Sequence, residues 1–153
     1  MAHRNLQIEQ LDRRMRRLEE AGRDAAFPMG WVRAVRGALG MSLEQLARKM
    51  GVTRQSLMAL EKREREGSIR LNTLRSVGQA LGLRLVYGFV PAEDDSLRAY
   101  VDRKARDLAT EIVQRTLQTM SLEDQAPSAE RIQRAIDERA EEIRRELPKT
   151  LWD

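Results

Sequence analysis

Residues 43–62 read Leu43-Glu44-Gln45-Leu46-Ala47-Arg48-Lys49-Met50-Gly51-Val52-Thr53-Arg54-Gln55-Ser56-Leu57-Met58-Ala59-Leu60-Glu61-Lys62. Two short helical patterns meet here at a glycine. Ser42 precedes the first as an N-cap, and Gln45 three residues on completes a capping box. Ala47 is small where a second helix must cross closely. Gly51 follows the first helix, where the chain needs φ > 0 to turn sharply. Val52 is expected to bury the turn, and Thr53 to cap the second helix. Leu57 and Leu60 then point back onto Leu46 and Met50. An ordinary helical hairpin would explain a glycine between two helices. The small residue, the caps and the apolar positions in one register match helix-turn-helix geometry more closely.

The flanking sequence extends this pattern on both sides. Leu6, Ile8, Leu11, Met15 and Leu18 recur at helical spacing among Arg and Glu, predicting an amphipathic helix that ends near Gly22. Phe27-Pro28-Met29-Gly30 interrupts the chain. A second helix starts at Trp31, expected to anchor the core, and stops at Gly40. Leu71 to Leu81 form a fifth, with Leu74, Val77 and Leu81 facing inward. The period then changes to two. Leu83-Arg84-Leu85-Val86-Tyr87-Gly88-Phe89-Val90 is predicted to be one short β-strand ended by Pro91. A lone strand cannot satisfy its own backbone groups, so it requires another chain or another extended stretch. After the acidic stretch Ala92 to Ser96, Val101, Ala105, Leu108, Ile112 and Leu117 mark a long amphipathic helix. Ser121 to Ser128 is a Pro-containing break. Ile132, Ile136, Ala140, Ile143 and Leu147 mark a last helix before Pro148, and the tail holds Trp152.

Composition narrows the chemistry. Among 153 residues there is no Cys and one His, His3, so thiol catalysis, disulfides, cysteine–zinc sites and a Ser-His-Asp triad within a buried site are not expected. No nucleophile–base pair or phosphate-binding loop motif occurs, so neither an enzyme nor a cofactor or metal site is expected. No apolar run approaches the ~20 residues of a membrane span, and the first residues lack a signal-peptide stretch, so a cytoplasmic location is expected. The net charge of +4 conceals an asymmetry. Residues 31–91 hold eleven Lys+Arg against four acids, while residues 92–153 hold eleven against fifteen. The first imbalance points to a polyanion partner.

In helix-turn-helix geometry the second helix enters the major groove with its first turn at the base edges. That assigns base reading to Thr53, Arg54, Gln55 and Ser56, with Met58 and Ala59 one turn on. Arg54 can donate two bonds to guanine and Gln55 can pair with adenine, whereas Met58 or Ala59 could touch a thymine methyl. Gln45, Arg48, Lys49, Lys62, Arg63 and Arg70 are the candidate phosphate contacts, Gln45 through the amides at its helix start. One such module binds weakly, which predicts a homodimer on a double-stranded DNA operator with half-sites about one turn apart. Either the strand 83–90 or the helix 97–120 could supply the interface.

Residues 30–91 also resemble the XRE/Cro-type repressor family. Its opening is similar to residues 34–47, its recognition helix to Val52–Glu61, and its closing helix to Leu71-Asn72-Thr73-Leu74 with Ala80-Leu81-Gly82. Gly30-Trp31-Val32-Arg33, Ala38-Leu39-Gly40-Met41-Ser42, Leu85-Val86-Tyr87 ahead of Val90-Pro91, and Leu151-Trp152-Asp153 together resemble the mobile mystery protein A family. There the neighbouring gene typically encodes a Fic-domain protein. The resemblance implies a repressor that autoregulates a two-gene, toxin–antitoxin-like module. It also leaves open an adaptor or antitoxin that binds the Fic-domain partner through acids such as Asp107, Glu111, Glu141 and Glu142. The inhibitory signature of Fic regulators, Ser or Thr four residues before a Glu-Gly or Glu-Asn pair, is absent: Lys62 stands four before Glu66-Gly67. The expected architecture is mainly α. An N-terminal helix (1–29) precedes a lambda-repressor-like helix-turn-helix domain with a terminal strand (30–91). A helical extension for dimerisation or partner binding follows (92–153).

Overall fold

Apolar residues three and four apart can be buried together only if the chain coils as a helix, and the patterned segments all do so. The computed structural model describes residues 2–23, 27–120 and 127–153. Its helices are α1 (Ala2–Gly22), α2 (Trp31–Ala38), α3 (Leu43–Met50), α4 (Arg54–Arg65), α5 (Leu71–Ala80), α6 (Leu97–Met120) and α7 (Ala129–Glu146), followed by a 3-10 turn (Lys149–Trp152). The break expected at Ser121 to Ser128 lies largely outside the described residues. The chain divides into two compact units, Ala21–Gly88 and a second made of Met1–Glu20 with Phe89–Asp153.

In the unit Ala21–Gly88, Val32, Leu46, Ala47, Leu57 and Val77 are buried together, with Met50, Leu60, Leu74 and Leu81 packed against them. Ala47 is the small crossing residue between α3 and α4, buried against Leu57 as its size requires. Two acids of α4 hold α2. The Glu61 carboxylate takes Arg36 Nε at 2.7 Å and Nη2 at 3.3 Å, while Arg36 Nη1 donates to the Met41 carbonyl at 3.0 Å. This buried pair ties α2, α4 and the turn before α3 into one body. Glu64 accepts from the Trp31 and Val32 amides at 2.8 and 3.0 Å, so a carboxylate sits on the positive end of α2.

In the other unit, α6 presents Val101, Ala105 and Ala109 to Ile136, Ala140 and Ile143 of α7. Alanines on both sides let the helices approach closely. Ile8 of α1 joins this core, and Leu147 and Leu151 close its end. Asp12 of α1 is buried, and its carboxylate accepts from the amides of Leu97 at 2.7 Å and Arg98 at 3.2 Å, capping α6. Trp152 stacks on Tyr100 with centroids 5.9 Å apart.

Three expectations need correction. Leu83–Val90 forms no β-strand: it runs without turn, bend or ladder pairing, and no strand occurs among the described residues. The alternation is present, but a ladder needs a second extended segment, and the rest of the described chain is committed to helices and turns. Val52 does not bury the turn; it is exposed, and the buried residues on either side of the turn are Leu46, Ala47 and Leu57. Trp31 is half exposed at the start of α2, edge-on to Phe27 with centroids 4.5 Å apart, and the core position on α2 belongs to Val32.

Candidate nucleic-acid interface

The turn between α3 and α4 is set locally. The Ser42 hydroxyl accepts from the Gln45 amide at 3.1 Å, and the Gln45 side chain accepts from the Ser42 amide at 2.8 Å, forming the expected capping box. Gly51 ends α3 at φ 67°, a left-handed conformation that glycine adopts without steric penalty. Its amide and that of Val52 return to the Arg48 and Ala47 carbonyls at 3.2 and 3.0 Å. Thr53 then caps α4, its hydroxyl oxygen accepting from the Ser56 amide at 3.1 Å. The Thr53 hydroxyl donates to Ser56 Oγ at 2.9 Å, so these two side chains are occupied in holding the start of α4.

Burial divides α4 into two faces. Leu57 and Glu61 point inward, whereas Arg54, Gln55, Met58 and Lys62 are exposed. Arg54, Met58 and Lys62 recur four residues apart and share one solvent face. Ala59, another candidate base contact, is only partly accessible. Arg54 does not hang free. Its Nε lies 3.0 Å from Glu44 Oε1 on the first turn of α3. The Glu44 carboxyl is held below the ordinary carboxylate range, first by its own backbone amide at the helix start. Partial desolvation opposes this, and Arg54, Ser42 and Arg36 lower it further. Sequence reading missed Glu44 because its nearness to Arg54 depends on the turn angle and not on spacing.

The candidate phosphate contacts fall into separate groups. Gln45, Arg48 and Lys49 line one open recess of about 450 Å³ together with Leu39, Gly40 and Met41. Arg48 and Lys49 are exposed there at the end of α3. Lys62 and Arg63 sit in the last turn of α4, about 12 Å along the helix from Arg54. Lys62 also lies 3.8 Å from Glu66. Arg70 precedes α5 and is exposed. Arg36, by contrast, is used internally by Glu61 and adds nothing to the outer charge.

No curated protein and no solved structure matches the chain. A family model described as Helix-turn-helix (HTH_3) matches residues 32–87, which span α2 to α5 and the segment after it. The capped, glycine-linked pair α3–α4 falls inside that match, and both give residues 32–87 a helix-turn-helix.

Proposed function

We propose that the protein is a sequence-specific double-stranded DNA-binding transcriptional regulator that acts as a homodimeric repressor. The observation that carries this reading is the exposed face of α4. It offers Arg54, Gln55 and Met58 at the start of a helix whose other face is locked into the core. Arg54 and Gln55 read bases, with Met58 and Ala59 available to thymine methyls. Thr53 and Ser56 hold the helix end that enters the groove. Gln45, Arg48 and Lys49 bind one stretch of phosphates, and Lys62, Arg63 and Arg70 supply further contacts.

The resemblance described above extends the reading to autoregulation of a two-gene module with a Fic-domain partner. Copurification of the two gene products tests that extension. The acids that would dock such a partner are largely engaged within their own helices: Glu111 with Arg115, Glu141 with Arg144, and Glu142 with Arg139.

A gel shift on DNA upstream of the protein's own gene tests the reading. Arg54→Ala and Gln55→Ala each lose about 1–3 kcal/mol of discrimination between the operator and its single-base variants. Lys49→Ala weakens all sequences alike and lowers the salt slope by about 1. Binding that ignores salt and all three substitutions overturns it in favour of the adaptor.

A further inference from the structure

The segment after α5 places a run of apolar side chains in water. Leu83, Val86, Tyr87, Phe89 and Val90 are all exposed, Val86 at 64% and Phe89 at 82%. The start of the segment is fixed. The Leu83 amide donates to the Gly78 carbonyl at 2.8 Å, and the backbone lies so close over α5 that a Cβ on Gly78 would sit 3.2 Å from the Leu83 oxygen. Beyond that point, no amide from Arg84 to Val90 donates to a backbone carbonyl among the described residues. Beside the segment lies an apolar groove of about 420 Å³ lined by Trp31, Val35, Leu74, Leu81, Leu83 and Val86. An unpaired, alternating, apolar segment of this kind is a template for another strand.

We infer that residues 83–90 form the dimer interface by pairing antiparallel with the same residues of a second copy, with the two-fold axis at Val86. The inference rests on the homodimer of the preceding section and names its surface. Three observations select a second copy as the occupant. First, the sequence is self-complementary in this register: Leu83 faces Phe89, Leu85 faces Tyr87, and Val86 faces Val86. Aliphatic–aromatic cross-strand pairs of this kind are stabilising. Second, the only charge in the segment, Arg84, falls opposite Gly88. A parallel in-register pairing would instead set Arg84 beside Arg84. Third, the competing interface is already used. The α6 stripe of Val101, Ala105 and Ala109 is buried against α7 of the same chain. A two-fold pairing is also isologous, so it closes at two copies.

The native chain has no cysteine, which makes a single introduced thiol an unambiguous probe. At the two-fold axis the two Val86 Cα atoms would lie about 4.5–5.5 Å apart, within disulfide reach. Val86→Cys in the full chain is expected to oxidise to a covalent dimer at least tenfold faster than Gln114→Cys, an exposed control on α6. Val86→Glu sets two like charges opposite each other. It is expected to keep the helical circular dichroism of the wild type while the light-scattering mass falls from that of two chains to the 17.6 kDa of one. Equal oxidation of the two cysteine variants, or a Val86→Glu protein that stays dimeric, overturns the inference. A wild-type protein that is monomeric at micromolar concentration overturns it as well. None of these readouts uses DNA. A wild-type dimer that shows no salt-dependent DNA binding would therefore sink the regulator reading while leaving the interface standing.

Discussion

Glu61 is a carboxylate on the inward face of α4, and Arg36 is what makes that burial tenable. The fork of the guanidinium satisfies both carboxylate oxygens and still reaches the Met41 carbonyl. Removing one partner leaves the other charged and desolvated. Glu61→Ala is therefore expected to destabilise the domain by about 1–3 kcal/mol, read as a fall in the midpoint of chemical denaturation. Nothing in the sequence distinguishes Glu61 from the exposed Glu66, because the pair spans 25 residues. Glu44 is the opposite case, an exposed acid whose partner matters more for orientation than for stability. Its pKa is depressed in the folded protein, so the Arg54 pair is present above the ordinary carboxylate range and is lost as pH falls through the lowered value. At neutral pH Arg54 is thus held from one side. Glu44→Ala is expected to lower the thermal unfolding midpoint only slightly and to relax base preference at the position proposed for Arg54, measured by binding to a set of single-base operator variants.

The helices and their ends were the most legible features, and the reason is locality. A capping box joins residues three apart, so Ser42 and Gln45 could be identified without knowing anything else about the fold. Ser42→Ala is expected to cost about 1 kcal/mol of stability, and Ser42→Gly a few tenths. Gly51→Ala forces a Cβ into the left-handed region at φ 67° and is expected to cost about 1–2 kcal/mol. Thermal melts of the three variants rank these costs. The segment 83–90 shows where local pattern stops being informative. Its alternation of side chains is that of a strand, but pairing is a property of two segments, and no second one exists among the described residues. The charged helices α6 and α7 show the same limit for charge. Their Glu residues read as a free acidic face, yet several are closed onto Arg residues three or four positions away.

At the scale of the molecule, the basic helix-turn-helix domain and the helical unit around α6 and α7 rest on separate cores. Each should respond to its own substitutions. Ile143→Ala removes a buried side chain between α6 and α7 and is expected to cost about 2–5 kcal/mol in that unit. Hydrogen exchange that quickens only in α1, α6 and α7, with α3 and α4 unchanged, is the signature to look for. By itself the sequence determined the helix positions, the caps, the left-handed glycine and the exposed first turn of α4. All of these follow from contacts between residues within about four positions, where chain geometry fixes the distances in advance. The tertiary structure alone decided which apolar stripe is covered, as when α7 takes the face of α6 that otherwise offers a dimer surface. It alone decided which charges are engaged, as in the pairs Arg36–Glu61 and Arg54–Glu44 and the caps that Asp12 and Glu64 supply. Such contacts join residues far apart along the chain, and their separation is set only when the helices pack.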